Sequence, residues 1–381
     1  MKQKTFFAKA TLAVALAIFS STAAMGQSDS TATSKGKKVL DKLTEHIQLH
    51  GYAQGGYAYT NRSNTNTNSF EVKRVLFWAN AQITDRWSFL FMHDFSSVVQ
   101  EFYTDFRITK NNALVARIGQ FKNGLSLENP LSPTSMEAID VYSEGVTFLT
   151  GCGSDPLLGV QYGRDLGLAL YGETNDTKLR YELQVMDGQG INKKDGNNFK
   201  DIIGRIEYRP VKGLNLVASG QIGRGHSVAD SIAGTGGSVY NPTISKGDDY
   251  KRNRWTLGFS YKSRKFNLHG EYLEGYDGDV TSRGGYLTGS VPLGRPEVEF
   301  VGSYDFFNFN TKLGMDQHKA IAGIQYWFYG KCRVQLQYVY KSASLQDRTI
   351  FNPMGEPVGT GKAFTHGANH AIMCQMQVRL K

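Results

Sequence analysis

With 381 residues and a mean hydropathy of −0.37, the chain holds no run downstream of its N-terminus near the ~18 apolar residues of a membrane-spanning helix. Lys and Arg (43) exceed Asp and Glu (34), giving a formal charge of +9. The three cysteines, Cys152, Cys332 and Cys374, are too few and odd in number for a disulfide scaffold.

The N-terminus reads as an export signal. Lys2, Lys4 and Lys9 form a basic region, Thr11 to Phe19 is apolar, and Ala24 and Gly26 are the small residues before Gln27. Cleavage is expected after Gly26, which removes three lysines and no acids and leaves +6. No cysteine follows the apolar stretch, so no lipid anchor is expected. Residues 27–45 are rich in Ser, Thr and Lys, with one helical turn expected around Val39, Leu40 and Leu43; they read as a periplasmic leader. In an exported chain the basic excess points away from nucleic acid, towards an anion-attracting lumen or anionic lipid.

From Ile47 onward apolar and polar residues alternate, the period-2 signature of strands with one apolar and one polar face. The clearest stretch is 331–342. Cys332, Val334, Leu336, Tyr338 and Tyr340 make one row; Lys331, Arg333, Gln335, Gln337 and Lys341 make the other, with Val339 its only apolar member. The alternation predicts sixteen strands, at 47–59, 70–83, 87–96, 100–109, 113–121, 166–173, 177–186, 199–208, 213–223, 251–263, 265–276, 283–291, 296–306, 318–328, 331–343 and 367–380. Tyr (20) and Phe (22) suit strands and the membrane–water boundary. Behind an export signal, such strands predict an all-β, closed antiparallel transmembrane barrel over 46–381, apolar outside and wet inside.

Connection lengths check the count. Every second connection is a tight turn: 84–86, 110–112, 174–176, 209–212, 263–264, 292–295 and 329–330. The others include the long segments 60–69, 122–165, 187–198, 224–250 and 344–366. Bacterial barrels keep short turns on the periplasmic side and long loops outside. Residues 157–163 resemble a strand, but counting them would reverse this sidedness, so they are assigned to the third loop; eighteen strands is the alternative. A charge facing lipid near the midplane costs ~2–4 kcal/mol, so the polar rows are the lumen. Trp255, Leu257, Phe259 and Tyr261 then face lipid, and Arg254, Thr256, Gly258, Ser260 and Lys262 face inward. Cys332 and Cys374 fall on apolar rows and Cys152 in a loop, so no disulfide is expected.

Three local patterns carry a family resemblance. They are Phe70-Glu71-Val72-Lys73-Arg74-Val75 leading to Ile83-Thr84-Asp85-Arg86-Trp87-Ser88-Phe89, then Ala116-Arg117-Ile118-Gly119-Gln120-Phe121-Lys122 before the third loop, and Leu179-Arg180-Tyr181-Glu182 ending in Asp187-Gly188. In these the chain resembles the phosphate-selective porin O and P family of outer-membrane channels. The resemblance implies a sixteen-strand barrel, a homotrimer, and a third loop folded inward as a constriction. The chain departs from it in ending Val378-Arg379-Leu380-Lys381 rather than in an aromatic, and in lacking a dense Lys/Arg run.

A channel needs a narrow zone whose charge selects ions. The inward rows offer Arg74, Arg107, Arg117, Arg180, Arg205, Arg254, Lys262, Arg333 and Lys341, with Lys122 at the mouth of the third loop. Each could instead be a solvated charge paired with an acid such as Glu101, Asp105, Glu182, Glu207 or Glu271. The loop carries acids of its own: Glu128, Glu137, Asp140 and Glu144. The function expected is passive diffusion of small hydrophilic solutes through the outer membrane of a Gram-negative bacterium, with preference for anions of phosphate type. The alternatives are a general, weakly selective porin, an outer-membrane hydrolase and a soluble exported β-sandwich that binds ligands. Against catalysis, the eight histidines are scattered, His93 and Asp94 face opposite sides of a strand, and neither a Gly-x-Ser-x-Gly elbow nor a His-Glu-x-x-His occurs. Neither a cofactor nor a metal is expected; the expected partners are small anions, lipid and further copies of the chain.

Overall fold

The computed structural model describes residues 46–62, 65–228, 238, 239, 241, 243–351, 354 and 357–380. The chain divides into a unit Met1–Gln48 and a unit Leu49–Lys381; the second is the barrel. The signal and leader, residues 1–45, lie outside the described residues.

Sixteen strands form the wall. In chain order they are β1 (Ile47–Arg62), β2 (Thr65–Thr84), β3 (Trp87–Asp94), β4 (Val99–Arg107), β5 (Val115–Lys122), β6 (Arg164–Glu173), β7 (Leu179–Met186) and β8 (Asp201–Tyr208). They continue as β9 (Leu214–Ile222), β10 (Asp249–Lys262), β11 (Asn267–Asp277), β12 (Val280–Leu293), β13 (Arg295–Asn308), β14 (Asp316–Tyr329), β15 (Cys332–Phe351) and β16 (Pro357–Arg379). Each pairs antiparallel with the next, and β16 returns to β1 with Tyr52 opposite Arg379 and Arg62 opposite Asn369. Closure leaves no edge in the lower part of the wall, where neighbouring strands pair on both sides, as a bilayer requires. The eighteen-strand alternative falls away: the two-residue strands Ser154–Asp155 and Gly159–Val160 pair only with each other, inside the third loop.

The rows face as the alternation predicts. On β10, Arg254 and Thr256 are buried in the interior while Leu257 stands 55% exposed on the outside. On β7, Gln184 and Met186 are buried and Leu183 and Val185 are exposed. Two expectations are corrected. Cys332, read as lipid-facing, is buried: the register shifts between Trp327 and Tyr329 just before it, and its Sγ lies against the backbone of Arg379. The segments 60–69 and 344–366, read as loops, are largely strand, because β1 with β2 and β15 with β16 continue as tall hairpins. Their Gly-, Ser- and Thr-rich sequence suppressed the apolar row once the strands rose clear of the apolar band. Cys374 is exposed on the outer row as read, and all three cysteines are free thiols.

Candidate functional site: the inward loop and the lumen wall

The connection from β5 to β6, residues 123–163, folds into the barrel. A 3-10 turn, Pro133–Ser135, is capped by Ser132, and helix α1, Glu144–Thr150, is capped by the Ser143 hydroxyl, which accepts from the Val146 N–H at 3.2 Å. The helix ends on Gly151 in the left-handed conformation (φ 64°). Gly145 is required by proximity: a Cβ there would sit 2.9 Å from the Phe307 ring on β13.

The loop is fastened around the lumen in three places. Its first limb meets β7 to β11. Gly124 N–H donates to Gln184 at 2.8 Å, the Ser126 hydroxyl and Leu127 N–H both donate to Glu271 at 2.8 Å, and Arg205 donates to the Gly124 carbonyl at 3.1 Å. The middle lies on β14 to β16. Gln335 and Gln337 donate to the Glu137 carbonyl at 2.9 and 2.7 Å, Ile139 N–H donates to Gln337 at 2.8 Å, and Arg333 donates to the Met136 carbonyl. Ala138 and Ile139 also pack on Ile321, Val339 and Met373. The last limb carries α1, whose Val146, Phe148 and Leu149 pack on Leu273, Phe307 and Phe309; beyond it Asp155 meets Arg252 at 3.4 Å and Arg254 at 3.8 Å. Inward-pointing apolar residues such as Val339 and Leu273 would be out of place on a wet wall; they are the landing points of the loop.

These contacts engage the acids of the loop. Lys341 and Lys319 reach Glu144 at 2.7 and 3.1 Å. Burial opposes ionisation of Glu144, but the two ammonium groups outweigh it and hold the carboxyl well below the usual range. Lys73 sits 3.3 Å from Glu71 and 3.7 Å from Asp140. Glu128 and Glu137 flank the His269 ring at 3.2 and 3.8 Å. The loop therefore does not present a row of free carboxylates to a basic wall.

The ten basic candidates do not form one cluster. Arg117 forms a bidentate pair with Asp105 (2.7 and 2.8 Å) and stacks on Tyr103. Arg205 pairs with Glu207 at 2.9 Å, Arg180 lies 3.9 Å from Glu182, and Arg254 pairs with Asp277 at 3.0 Å. Arg333 and Lys341 hold the loop as above, and Lys122 donates to the Asn129 and Leu131 carbonyls at 2.8 and 2.6 Å. Arg107 and Lys262 are exposed at the turn end of the barrel; Arg107 Nη1 lies 3.5 Å from the Asp85 carbonyl, so neither joins the loop.

Arg74, like Lys122, Arg333, Arg107 and Lys262, has no carboxylate within 4.0 Å among the described residues, and unlike Lys122 and Arg333 it does not bond the loop: its Nη1 donates to Gln54 at 3.0 Å. Arg74, Arg164, Arg379 and Asp94 act on Tyr52 through their charges. Arg164 is paired with Glu101 at 2.8 Å. The loop reaches this side of the wall through Asp140, 3.7 Å from Lys73. The outward row of β2 changes parity, from Phe70 and Val72 to Phe77 and Ile83, and both Lys73 and Arg74 reach inside. An extra residue between the two stretches explains both facts, and strict alternation could not have placed Lys73 in the lumen. The sequence also gave no hint of Lys319, Asp305 or the inward glutamines as loop anchors.

No protein-family model and no curated protein matches the chain. Solved structures do. An anion-selective porin from Comamonas acidovorans superposes with a TM-score of 0.62 at 13% identity, over 88% of this chain and 99% of that one. OmpF of Salmonella typhi gives 0.59 at 12%, over 87% and 97%. The outer-membrane channel DcaP of Acinetobacter baumannii gives 0.55 at 12%, over 87% and 97%. At such identities the likeness is one of fold: the sixteen-strand barrel of outer-membrane porins.

Proposed function

We propose that this chain is an outer-membrane channel through which small hydrophilic solutes diffuse passively, with anions preferred. The observation that carries the preference is Arg74. It is a wall cation with no carboxylate partner among the described residues, near Arg379 and the Arg164–Glu101 pair, while the acids of the loop are held by Lys73, Lys319, Lys341 and His269. A net positive wall in a narrow lumen concentrates anions and repels cations. Phosphate is the anion suggested by the family resemblance, and Arg presents the fork that suits it.

The barrel wall supports a homotrimer. On β2, β3 and β4, Phe77, Phe89, Phe91, Phe102 and Phe106 turn outward. The outward rows of β6 to β9 are instead aliphatic, with Leu168, Leu170, Leu183, Val185, Ile202 and Leu216. Flat aromatic surface suits contact with a second copy better than contact with mobile lipid tails.

Reversal potentials in a salt gradient across a planar bilayer test the reading, with chloride, phosphate and a neutral sugar compared. The expected result is a potential of the sign that anion permeation gives. Equal permeability of anions and cations would make this a general porin, and recovery of folded protein from the periplasm without detergent would remove the channel altogether.

A further inference from the structure

On the loop side of α1 lies a cavity of 490 Å³, within the ~300–1,000 Å³ range of small-molecule sites. Its charged lining is Glu71, Asp140 and Glu144 with Lys73 and Lys341. Phe148, Val339 and Met373 give it an apolar floor. The floor is unusual for a solvated lumen, and part of it is the surface on which the inward loop docks.

The charges are close to balanced, and of the acids only Glu144, held by Lys341 and Lys319, is mostly hidden. The side chains of Glu71 and Asp140 are 39% and 30% exposed, and that of Lys341 is 28% exposed. A simple anion entering here meets three carboxylates, and a simple cation meets Lys73 and Lys341. A solute carrying both charges close together gains on each and is repelled as a whole by neither. The apolar floor adds roughly 25 cal/mol for each Å² of apolar surface that such a solute buries.

We infer that this cavity is a solute-binding subsite for zwitterionic amino acids with apolar side chains, the ammonium on Glu71 and Asp140, the carboxylate on Lys341, and the side chain against Phe148, Val339 and Met373. The inference rests on the channel reading and names a solute class for it. The subsite borders the Arg74 wall through Glu71 and Lys73, so it gives affinity for the solute while Arg74 biases the ions that pass.

The test uses the mature protein in planar bilayers with L-phenylalanine as the probe. Glycine, 3-phenylpropionate and phenethylamine are compared, each lacking one of the three features. L-phenylalanine is expected to reduce the channel current at concentrations at least 10-fold below those of the other three. Glu71→Gln and Lys341→Met should each weaken that block at least 5-fold. Equal block by all four compounds overturns the inference, as does block by L-phenylalanine that both variants leave intact. The comparison on the unmodified protein needs no variant to fold. Calorimetric titration of the detergent-solubilised protein with L-phenylalanine separates the two readings. Binding without ionic current would sink the channel and keep the subsite, and anion-selective current without binding would do the reverse.

Discussion

Replacing Arg74 by Gln removes one wall cation and little else. The guanidinium has no carboxylate to orphan, and Gln54, which loses its 3.0 Å donor, keeps Gln377 at 2.8 Å. One hydrogen bond from a charged donor is worth about 1.5–3 kcal/mol, a fraction of the stability of a closed barrel, so the barrel should fold. The effect on ions is larger. A unit charge ~4 Å from a passing ion contributes about 1 kcal/mol in bulk water and about 4 kcal/mol at an effective dielectric of ~20. A water-filled lumen lies near the lower figure. The sign is opposite for anions and cations, so their difference changes by about 2 kcal/mol, at most a factor of about 30. Screening over ~10 Å at 0.1 M salt reduces this, so a fall of about 3- to 10-fold in the anion-to-cation permeability ratio is expected, more at low salt. Reversal potentials of single channels read the ratio directly. Arg107→Gln is the control: that side chain is exposed at the turn end, and its removal should change the ratio by less than about 2-fold. Channels of Arg74→Gln with an unchanged ratio, or an equal shift from Arg107→Gln, would refute the argument.

Other consequences follow from the loop and the rows. Gln335→Leu with Gln337→Leu removes three contacts to Glu137 and Ile139; at about 0.5–1.5 kcal/mol each, the loop tip should detach, seen as larger and noisier single-channel conductance. Glu144 titrates below the usual range, so its anchoring of α1 is complete above the unfolded value of ~4.3 and is lost only as pH falls through the lower folded value. Conductance noise at pH 7 should therefore be higher in Glu144→Gln than in the unmodified channel; a variant as quiet as the unmodified channel contradicts the ion-pair account. Leu257→Arg puts a charge on the outward row and should cost ~2–4 kcal/mol near the midplane, read as a loss of folded, heat-modifiable protein on cold gels. The inward neighbour Thr256→Ser should fold normally, and the opposite ranking would reverse the assignment of faces.

Strand positions, their number and the inside–outside assignment were legible because they depend on local periodicity. Trp255 with Leu257 against Arg254 with Thr256 is a pattern that survives whatever the strands pair with. The third loop was identifiable by its length, and 157–163 could be excluded from the wall by counting sides. The anchors of that loop were not legible. Glu271, Gln337 and Lys319 look like any other polar residue on a lumen row, because their partners lie up to 200 residues away in the chain. Val339 was a visible exception on a polar row, and its exception marks the loop's docking surface.

The sequence by itself determined a barrel, since alternation, turn chemistry and the cost of burying charge in lipid act over a few residues at a time. Only the tertiary structure decided which charges remain uncompensated. Coulomb interactions depend on distance in space, and the inward loop brings Glu144 to Lys319 and Lys341 while leaving Arg74 with an amide for its partner. The selectivity of the lumen is the residue of that long-range pairing, and no local pattern encodes it.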